Sequence, residues 1–292
     1  MKPSCLFVGF GQIASRVFND LSDEVEAYVL KRSLSNKLPE GICQTYLGDV
    51  ATEITWRSIP SDFDIVLFCV TPGGRLAEDY RQVFHLGLQR CIRHFENAKK
   101  APHVFFVSST SVYSQDDGEW LDETSPAEPV SATAKVLRLA ERELQNSNMP
   151  HTIVRFSGIY GADRTYMIRQ VLEGQAVLST AERLSNRIHE DDAVGFLAFL
   201  IRRVLSGDPV DALYIATDSS PCDLNEVYGF IARKLGLVPH FMKEGEETPR
   251  RTGNKRLSNQ RLLESGYRLA YPGFKEGYDE MCTLVAPSRD VR

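Results

Sequence analysis

A glycine-rich turn near the start of the sequence has the residue types and spacing that can hold a pyrophosphate. Gly9, Gly11 and Ala14 form the pattern G-x-G-x-x-A directly after the apolar residues 6–8. The first glycine permits a tight reversal of the backbone, the second leaves room for the pyrophosphate, and the alanine lets a helix pack closely on a sheet. The pattern predicts dinucleotide binding, with a plain structural turn as the alternative.

The residues that follow this turn predict how a dinucleotide would be held. A helix predicted over 12–21 would direct the N–H groups of its first residues, Gln12 and Ile13, toward the pyrophosphate. About 20 residues after the turn, where an NAD site usually has Asp or Glu for the ribose 2′-hydroxyl, the sequence has Arg32 and Ser33. These side chains either bind a 2′-phosphate, which favours NADP over NAD, or simply face solvent.

Three further residues are candidates for the same site because ligands bind at the carboxyl ends of the strands in an open parallel sheet. Asp49 either receives the adenine amino group or belongs to a turn. Thr71 and Pro72 follow the apolar run 65–70. We expect them to flank the central part of the cofactor.

Strand-like and helix-like segments alternate along the first half of the chain, which positions these residues at one edge of a sheet. The fold class predicted is α/β, with a doubly wound, mostly parallel Rossmann sheet in residues 1–160. Beyond residue 160 the alternation loosens. Residues 161–292 are expected to form a smaller substrate-side lobe, packed on the first part and partly interleaved with it.

Four segments in order give the chain a resemblance to a known family. They are residues 8–14 (VGFGQIA), 107–113 (VSSTSVY), 155–161 (RFSGIYG) and 186–192 (NRIHEDD). In this order they resemble an extended or atypical short-chain dehydrogenase/reductase of the NAD(P)-dependent epimerase/dehydratase type. The resemblance runs through almost the whole chain.

The resemblance implies a catalytic set that this chain has only in part. In the family, a Ser or Thr holds the reacting oxygen, a tyrosine is the acid and base, and a lysine four residues later lowers the tyrosine pKa. These roles fall to Ser109 and Lys135, but Ser131 stands where the tyrosine is expected. A serine hydroxyl is too weak an acid and too short to inherit the role. Without that tyrosine, Lys135 is either catalytic or an ordinary helix lysine.

Other residues could complete the site. Tyr113 or Tyr160 could supply the missing phenol, or Ser109 and a water could suffice. The matching segment of the family lines the substrate pocket, so His189 either faces the substrate or has a structural role. Arg187 either leaves room for a negatively charged substrate such as a sugar nucleotide or is an ordinary surface residue. Thr110 and Tyr160 are further candidates for substrate contact.

Composition narrows the functional classes. The 292-residue chain has a net charge of −5, without the basic surplus of a general nucleic-acid binder. Its six cysteines include no C-x-x-C pair and its histidines lack ligand spacing, so we expect reduced thiols, no metal and a cytoplasmic location. No apolar stretch is long enough to span a membrane.

The sequence therefore predicts an NADP(H)-dependent oxidoreductase, epimerase or dehydratase acting on a small carbonyl or sugar-nucleotide-type molecule. Because Ser131 replaces the tyrosine, the alternative is a catalytically impaired NADP(H)-binding sensor or scaffold. The family resemblance also favours a homodimer formed through the helices around residues 75–99 and 131–146.

Overall fold

The computed structural model describes residues 2–33, 38–238, 240–241 and 253–285. In this part of the chain the strands are β1 (Ser4–Val8), β2 (Glu26–Lys31), β3 (Ile42–Leu47), β4 (Ile65–Phe68), β5 (His103–Ser109), β6 (Trp120–Leu121), β7 (His151–Phe156), β8 (Gly158–Tyr160), β9 (Val177–Leu178), β10 (Leu184–Ser185), β11 (Arg187–His189), β12 (Leu213–Ala216), β13 (Cys222–Asp223), β14 (His240–Phe241) and β15 (Arg256–Leu257).

The α-helices of the described residues are α1 (Gln12–Leu21), α2 (Glu53–Arg57), α3 (Ala77–Tyr80), α4 (Gly87–Phe95), α5 (Ala132–Asn146), α6 (Tyr166–Leu172), α7 (Glu190–Ser206), α8 (Leu224–Leu235), α9 (Gln260–Glu264) and α10 (Phe274–Val285). A π-helix over Arg81–Leu86 joins α3 to α4, and a 3-10 turn over Thr110–Val112 follows β5.

Seven parallel strands form the central sheet in the order β12-β7-β5-β4-β1-β2-β3. Strand β1 lies between β2 and β4, so that Cys5 is opposite both Ala27 and Ile65. All residues of β4 are buried, as expected for a strand covered by helices on both faces. The predicted doubly wound α/β fold is confirmed.

The long helix predicted over residues 75–99 is interrupted in the structure. The helical residues run from Ala77 to Phe95, and the π-helix takes up their middle. A π segment inserts an extra residue into a helical turn and rotates the side chains that follow. Here it places Val83 and Phe84 toward the core. Sequence periodicity cannot show such a change of pitch.

The chain divides into two compact units, each made of non-contiguous segments. The first comprises residues 1–114, 126–155 and 194–214, and the second comprises 115–125, 156–193 and 215–292. The first unit contains the glycine-rich turn and strands β1 to β5. In the second unit, helices α6, α8 and α10 pack around a shared apolar core that includes Ile168, Ile231 and Tyr278.

A buried ion pair joins a helix to two strands of the first unit. The Glu141 carboxylate on α5 accepts hydrogen bonds from Arg155 Nε at 2.9 Å and Arg155 Nη2 at 2.6 Å. It also accepts from the Ser108 hydroxyl at 2.6 Å and from Arg138 Nη1 at 3.2 Å. Arg155 Nη1 donates to the Tyr113 hydroxyl at 2.7 Å. Burial alone would lower the pKa of Arg155, but the hydrogen bonds and the negative charge of Glu141 outweigh this effect and raise it.

Replacing Arg155 should destabilise the folded protein because Glu141 is completely buried and would lose its main hydrogen-bond partner. We expect Arg155→Leu to lower the free energy of unfolding by about 3–5 kcal/mol. Urea denaturation at pH 7 would measure it. The double variant Glu141→Leu/Arg155→Leu should recover part of the loss, and Arg142→Leu, at an exposed site on the same helix, should change stability little. A loss in the double variant as large as in Arg155→Leu would contradict this reading.

Candidate cofactor and active site

The two glycines of the turn are required for different reasons. Gly9 has φ +82°, and a Cβ there would lie 2.5 Å from the carbonyl oxygen of Cys69. Its N–H donates to the Leu30 carbonyl at 2.8 Å, which fixes the reversal between β1 and α1. Gly11 has φ −83°, and a Cβ there would meet no atom of the described protein within 4 Å. The fold therefore explains Gly9 but not Gly11, and the exposed space above Gly11 suits a ligand that approaches the backbone closely.

A cavity of about 190 Å³ opens at the carboxyl ends of β1, β2 and β4. This edge of a parallel sheet is where dinucleotides bind. The cavity is lined by apolar side chains and by residues that follow the three strands. The lining consists of Gly9, Phe10, Gly11, Leu30, Lys31, Arg32, Ser33, Gly48, Val50, Cys69, Val70, Thr71 and Val83. The residues present fit an adenine dinucleotide.

Arg32 and Ser33 lie where the sequence predicts a 2′-phosphate contact. Both are exposed and line the cavity. A Cβ on Gly73 would lie 3.4 Å from Arg32 Nη1, so the guanidinium extends from the end of β2 across to the loop after β4. Thr71 lines the same cavity, and Pro72 follows it in the loop.

The other predicted cofactor residues have different surroundings. Asp49 is exposed, and its carboxylate accepts from the Ala51 N–H at 2.8 Å, which is a turn contact. Gln12 lines a second cavity, of about 590 Å³, that shares Phe10, Gly11 and Lys31 with the first. The Ile13 side chain is buried, so this residue can offer a ligand only its backbone N–H.

The candidate catalytic residues lie where β5 ends and α5 begins. Ser109 precedes the 3-10 turn, and its hydroxyl oxygen accepts from the Ser111 N–H at 3.2 Å. That contact leaves the hydroxyl proton available to a substrate oxygen. Thr110 is the first residue of the turn and is partly exposed. Helix α5 packs against β5 and this turn, and Lys135 in its second turn is exposed.

Ser131 has a structural role at the position of the missing tyrosine. It is the N-cap of α5, and its hydroxyl oxygen accepts from the Ala134 N–H at 3.3 Å. Serine is favoured at this position because its side chain satisfies an N–H that the helix cannot. The residue that replaces the acid of the family thus starts the helix that carries Lys135.

Neither tyrosine proposed as a replacement has an open phenol. Tyr113 is 1% exposed, and its hydroxyl accepts the hydrogen bond from Arg155. In the second unit Tyr160 is 2% exposed, donates to the Gly273 carbonyl at 3.1 Å and stacks on Tyr278 at 4.6 Å. Burial raises the pKa of Tyr160, so its phenol resists losing a proton. This geometry favours a structural role for both.

The predicted substrate residues of the second unit lie side by side on β11. His189 is buried, stacks on Tyr271 with ring centroids 3.7 Å apart, and accepts from the Asp191 N–H at 3.2 Å. Burial lowers the pKa of His189, which favours its neutral form. Arg187 is only partly buried, and its Nη1 lies 3.4 Å from the Tyr278 hydroxyl.

Sequence reasoning missed the apolar side chains that line the cavity. Val50 and Val83 belong to a loop and to the π-helix, and neither lies directly after a strand. Cys69 and Val70 do follow β4, but the sequence groups them with the buried run. No motif marks such residues, because any apolar side chain of suitable size can pack against a base.

The family to which the chain belongs agrees with a dinucleotide site at the glycine-rich turn. The sequence model of the NAD(P)H-binding family matches residues 9–192, and the chain belongs to that family. The expected kinship with extended short-chain dehydrogenase/reductases of the epimerase/dehydratase type is confirmed. Protein YeeZ of Escherichia coli is 28% identical over 179 residues, covering 60% of this chain and 61% of YeeZ. The chain thus spans about three fifths of that relative's length.

Solved structures share the fold over nearly the whole chain. A Methylobacillus flagellatus protein assigned as an NAD-dependent epimerase/dehydratase is 34% identical, with a TM-score of 0.79 over 98% of this chain and 99% of the other. Thermus thermophilus UDP-glucose 4-epimerase, solved with NAD, is 20% identical, with a TM-score of 0.77 over 96% and 98%. At that identity the likeness shows the fold alone. In the described part of our chain, no helix is long and apolar enough to cross a bilayer.

The two glycines should respond differently to alanine. Gly11→Ala should leave the melting temperature unchanged but abolish nicotinamide nucleotide binding, because its methyl group would project only into the ligand space. Gly9→Ala should lower stability by about 1–3 kcal/mol, because the methyl group meets the Cys69 carbonyl and the positive φ is strained. Thermal denaturation and calorimetric titration with NADP would separate the effects. Normal NADP binding by Gly11→Ala would contradict the assignment of the turn.

Proposed function

We propose that the protein binds NADP(H) and catalyses an oxidoreductase, epimerase or dehydratase reaction on a small carbonyl or sugar-like molecule. The observation that carries the cofactor choice is the guanidinium of Arg32, which lines the cavity beside Gly9 and Gly11. No cavity-lining residue at the end of β2 is acidic, since Lys31, Arg32 and Ser33 occupy it. An arginine fork matches a 2′-phosphate in charge and shape.

Each candidate residue has one part in this proposal. A bound nicotinamide supplies or accepts the hydride. The Ser109 hydroxyl donates to the reacting oxygen of the substrate, and the Lys135 ammonium binds the ribose beside it. Tyr113 acts in the supporting network under Ser109 and not on the substrate. Because no phenol takes part, the proton exchanged with the substrate passes through Ser109 and a water.

One observation favours a second function, an NADP(H)-binding sensor or scaffold without turnover. Ser131 is engaged in capping α5, and Tyr113 and Tyr160 are buried and hydrogen-bonded. The proposed cofactor site does not require Ser131, Tyr113 or Tyr160. Binding without chemistry is therefore the alternative outcome of the tests below.

Reversing the charge at Arg32 should reverse the cofactor preference. We expect Arg32→Glu to weaken NADP binding by about 10–100-fold, through loss of a charge-assisted contact, and to strengthen NAD binding. Calorimetric titration of both nucleotides would measure this. Lys99→Glu, the same charge change at an exposed site beyond α4, should leave both affinities unchanged. A wild-type preference for NAD would refute the role of Arg32.

Turnover should depend on Ser109 and Lys135. NADPH consumption with a panel of carbonyl and sugar-like compounds should reveal a substrate, and Ser109→Ala should lower kcat by at least about 100-fold. Lys135→Met should raise the KM for NADPH. Arg142→Met, an exposed residue of α5, serves as the control. Tight NADPH binding without turnover across the panel would favour the sensor or scaffold.

A further inference from the structure

A cavity of about 440 Å³ in the second unit shares no residue with the candidate cofactor, catalytic and substrate residues. Residues of β6, of the loop after β12 and of the segment from β15 through α9 line it. Its polar side chains are those of Ser219, Ser258, Asn259, Gln260 and Glu264. One of them is acidic and none of the lining residues is basic, so the cavity does not suit an anion.

The Asn259 amide offers this cavity an acceptor. Asn259 is 8% exposed, and its Nδ2 donates to the Thr217 carbonyl at 3.1 Å and to the Ser219 hydroxyl at 2.9 Å. Because a carbonyl oxygen only accepts, the amide nitrogen must face Thr217, and both of its hydrogens are used there. Nothing in the described residues donates to Asn259 Oδ1. The amide is thus left with an acceptor and no donor.

Two residues of α9, Gln260 and Glu264, add further acceptors. They lie one helical turn apart, and Gln260 Nε2 donates to Glu264 Oε1 at 2.7 Å. Because a carboxylate only accepts, this contact turns the nitrogen of the Gln260 amide toward Glu264 and leaves its Oε1 as a free acceptor. Ser219 and Ser258 already accept one hydrogen bond each, from Asn259 Nδ2 and from the Gln260 N–H. Their hydroxyl groups can still accept or donate a second one.

An exposed indole belongs to the apolar part of the lining. Trp120 is 61% exposed, whereas Trp56, the other tryptophan of the chain, is 3% exposed. Tryptophan binds a cation on its π face better than tyrosine or phenylalanine does. In the described residues Tyr113 and Tyr278 each have an arginine beside the ring, while Trp120 has no Lys or Arg there. Its ring is therefore available to a cation from outside the chain.

The arginines closest to the lining residues in sequence are paired with other acids. Arg256 Nη2 lies 3.3 Å from Glu182 Oε1, and Arg261 Nε lies 3.7 Å from Glu123 Oε2. Neither of these two acids lines the cavity. In the part of the chain that the structure describes, Glu264 forms no ion pair within 4.0 Å. The lining therefore has one negative charge and no cation that balances it.

We infer that this cavity binds a primary ammonium group carried by a small organic molecule. An ammonium has three N–H donors and no acceptor, which matches a lining whose free polar atoms are mainly acceptors. The indole of Trp120 attracts the same positive charge, and the Glu264 carboxylate balances it. A neutral ligand would cover Glu264 without compensating its charge, and an anion would be repelled by it.

This inference goes beyond the proposed function and does not depend on it. The residues that line the cavity belong to the second unit, whereas the glycine-rich turn, Ser109 and Lys135 belong to the first. Binding of an amine can therefore be measured whether or not the protein binds NADP(H).

Calorimetric titration of the full-length chain with three compounds that share a butyl chain tests the inference. We expect butylammonium to bind most tightly, with roughly millimolar affinity. Butyltrimethylammonium should bind less tightly because it has no N–H donor, and 1-butanol should bind least because it has no charge. Acrylamide quenching of tryptophan fluorescence gives a second readout, because Trp120 is exposed and Trp56 is buried. Bound butylammonium should reduce this quenching.

Substitutions of exposed lining residues should change amine binding without unfolding the protein, which thermal denaturation would verify. Trp120→Leu removes the π face and Glu264→Gln removes the charge, so each should weaken butylammonium binding by about three- to tenfold. Gln260→Glu adds a second carboxylate and should tighten binding by a similar factor, a gain that a purely structural role does not predict. The matched controls are Tyr166→Leu, on a side chain that is also 61% exposed, and Glu173→Gln, at an exposed position next to α6. Both should bind butylammonium as the wild type does.

Several results would overturn the amine site. Butanol that binds as tightly as butylammonium would show that the charge contributes nothing, and tighter binding of butyltrimethylammonium would exclude recognition of N–H donors. Equal butylammonium binding by the wild type, Trp120→Leu and Glu264→Gln would place the amine elsewhere. Absence of saturable binding at tens of millimolar would also contradict the inference. None of these results changes the NADP assignment, which concerns a cavity of the first unit.

Discussion

The buried pair of Glu141 and Arg155 is the interaction on which the arrangement of the first unit depends. Burying either charge alone would be strongly unfavourable. The folded structure must therefore bring the two side chains into contact. Glu141 lies on α5 and Arg155 on β7, and Ser108, whose hydroxyl donates to Glu141, directly precedes Ser109. The pair therefore sets the position of α5 relative to the end of β5. Any chemistry shared by Ser109 and Lys135 relies on that position.

The two glycines of the glycine-rich turn have different roles. One is required by the fold, and the other leaves space for a ligand. Gly9 has no space for a side chain because the Cys69 carbonyl approaches it. Gly11 has ample space within the protein. The open space over Gly11 agrees with the nicotinamide nucleotide that the family binds, because such a ligand must approach this backbone closely. Arg32 reaches across the same cavity and supplies a positive charge for it.

Ser131 bears on catalysis and not on cofactor binding. Its hydroxyl satisfies the backbone of α5, which secures the helix but leaves the site without the phenol expected from the family. The buried tyrosines Tyr113 and Tyr160 are held by Arg155 and by the Gly273 carbonyl. The proposed cofactor cavity therefore has its expected residues, whereas the proposed proton-transfer groups lack an accessible tyrosine. A substrate that needs little acid assistance would fit this set, as would a role in binding alone.

The sequence by itself determined the alternation of strands and helices over the first half of the chain, the glycine-rich turn and the basic residue after β2. These features are local, because the residues that produce a buried strand, a glycine-rich turn or a helix start are neighbours in the sequence. Only the tertiary structure decided the π-helix that turns Val83 to the cavity and the burial of Tyr113. It alone also decided the stacking of Tyr160 on Tyr278. Each depends on contacts between residues far apart in the chain, and a side chain's exposure or partner cannot be read from its neighbours in sequence.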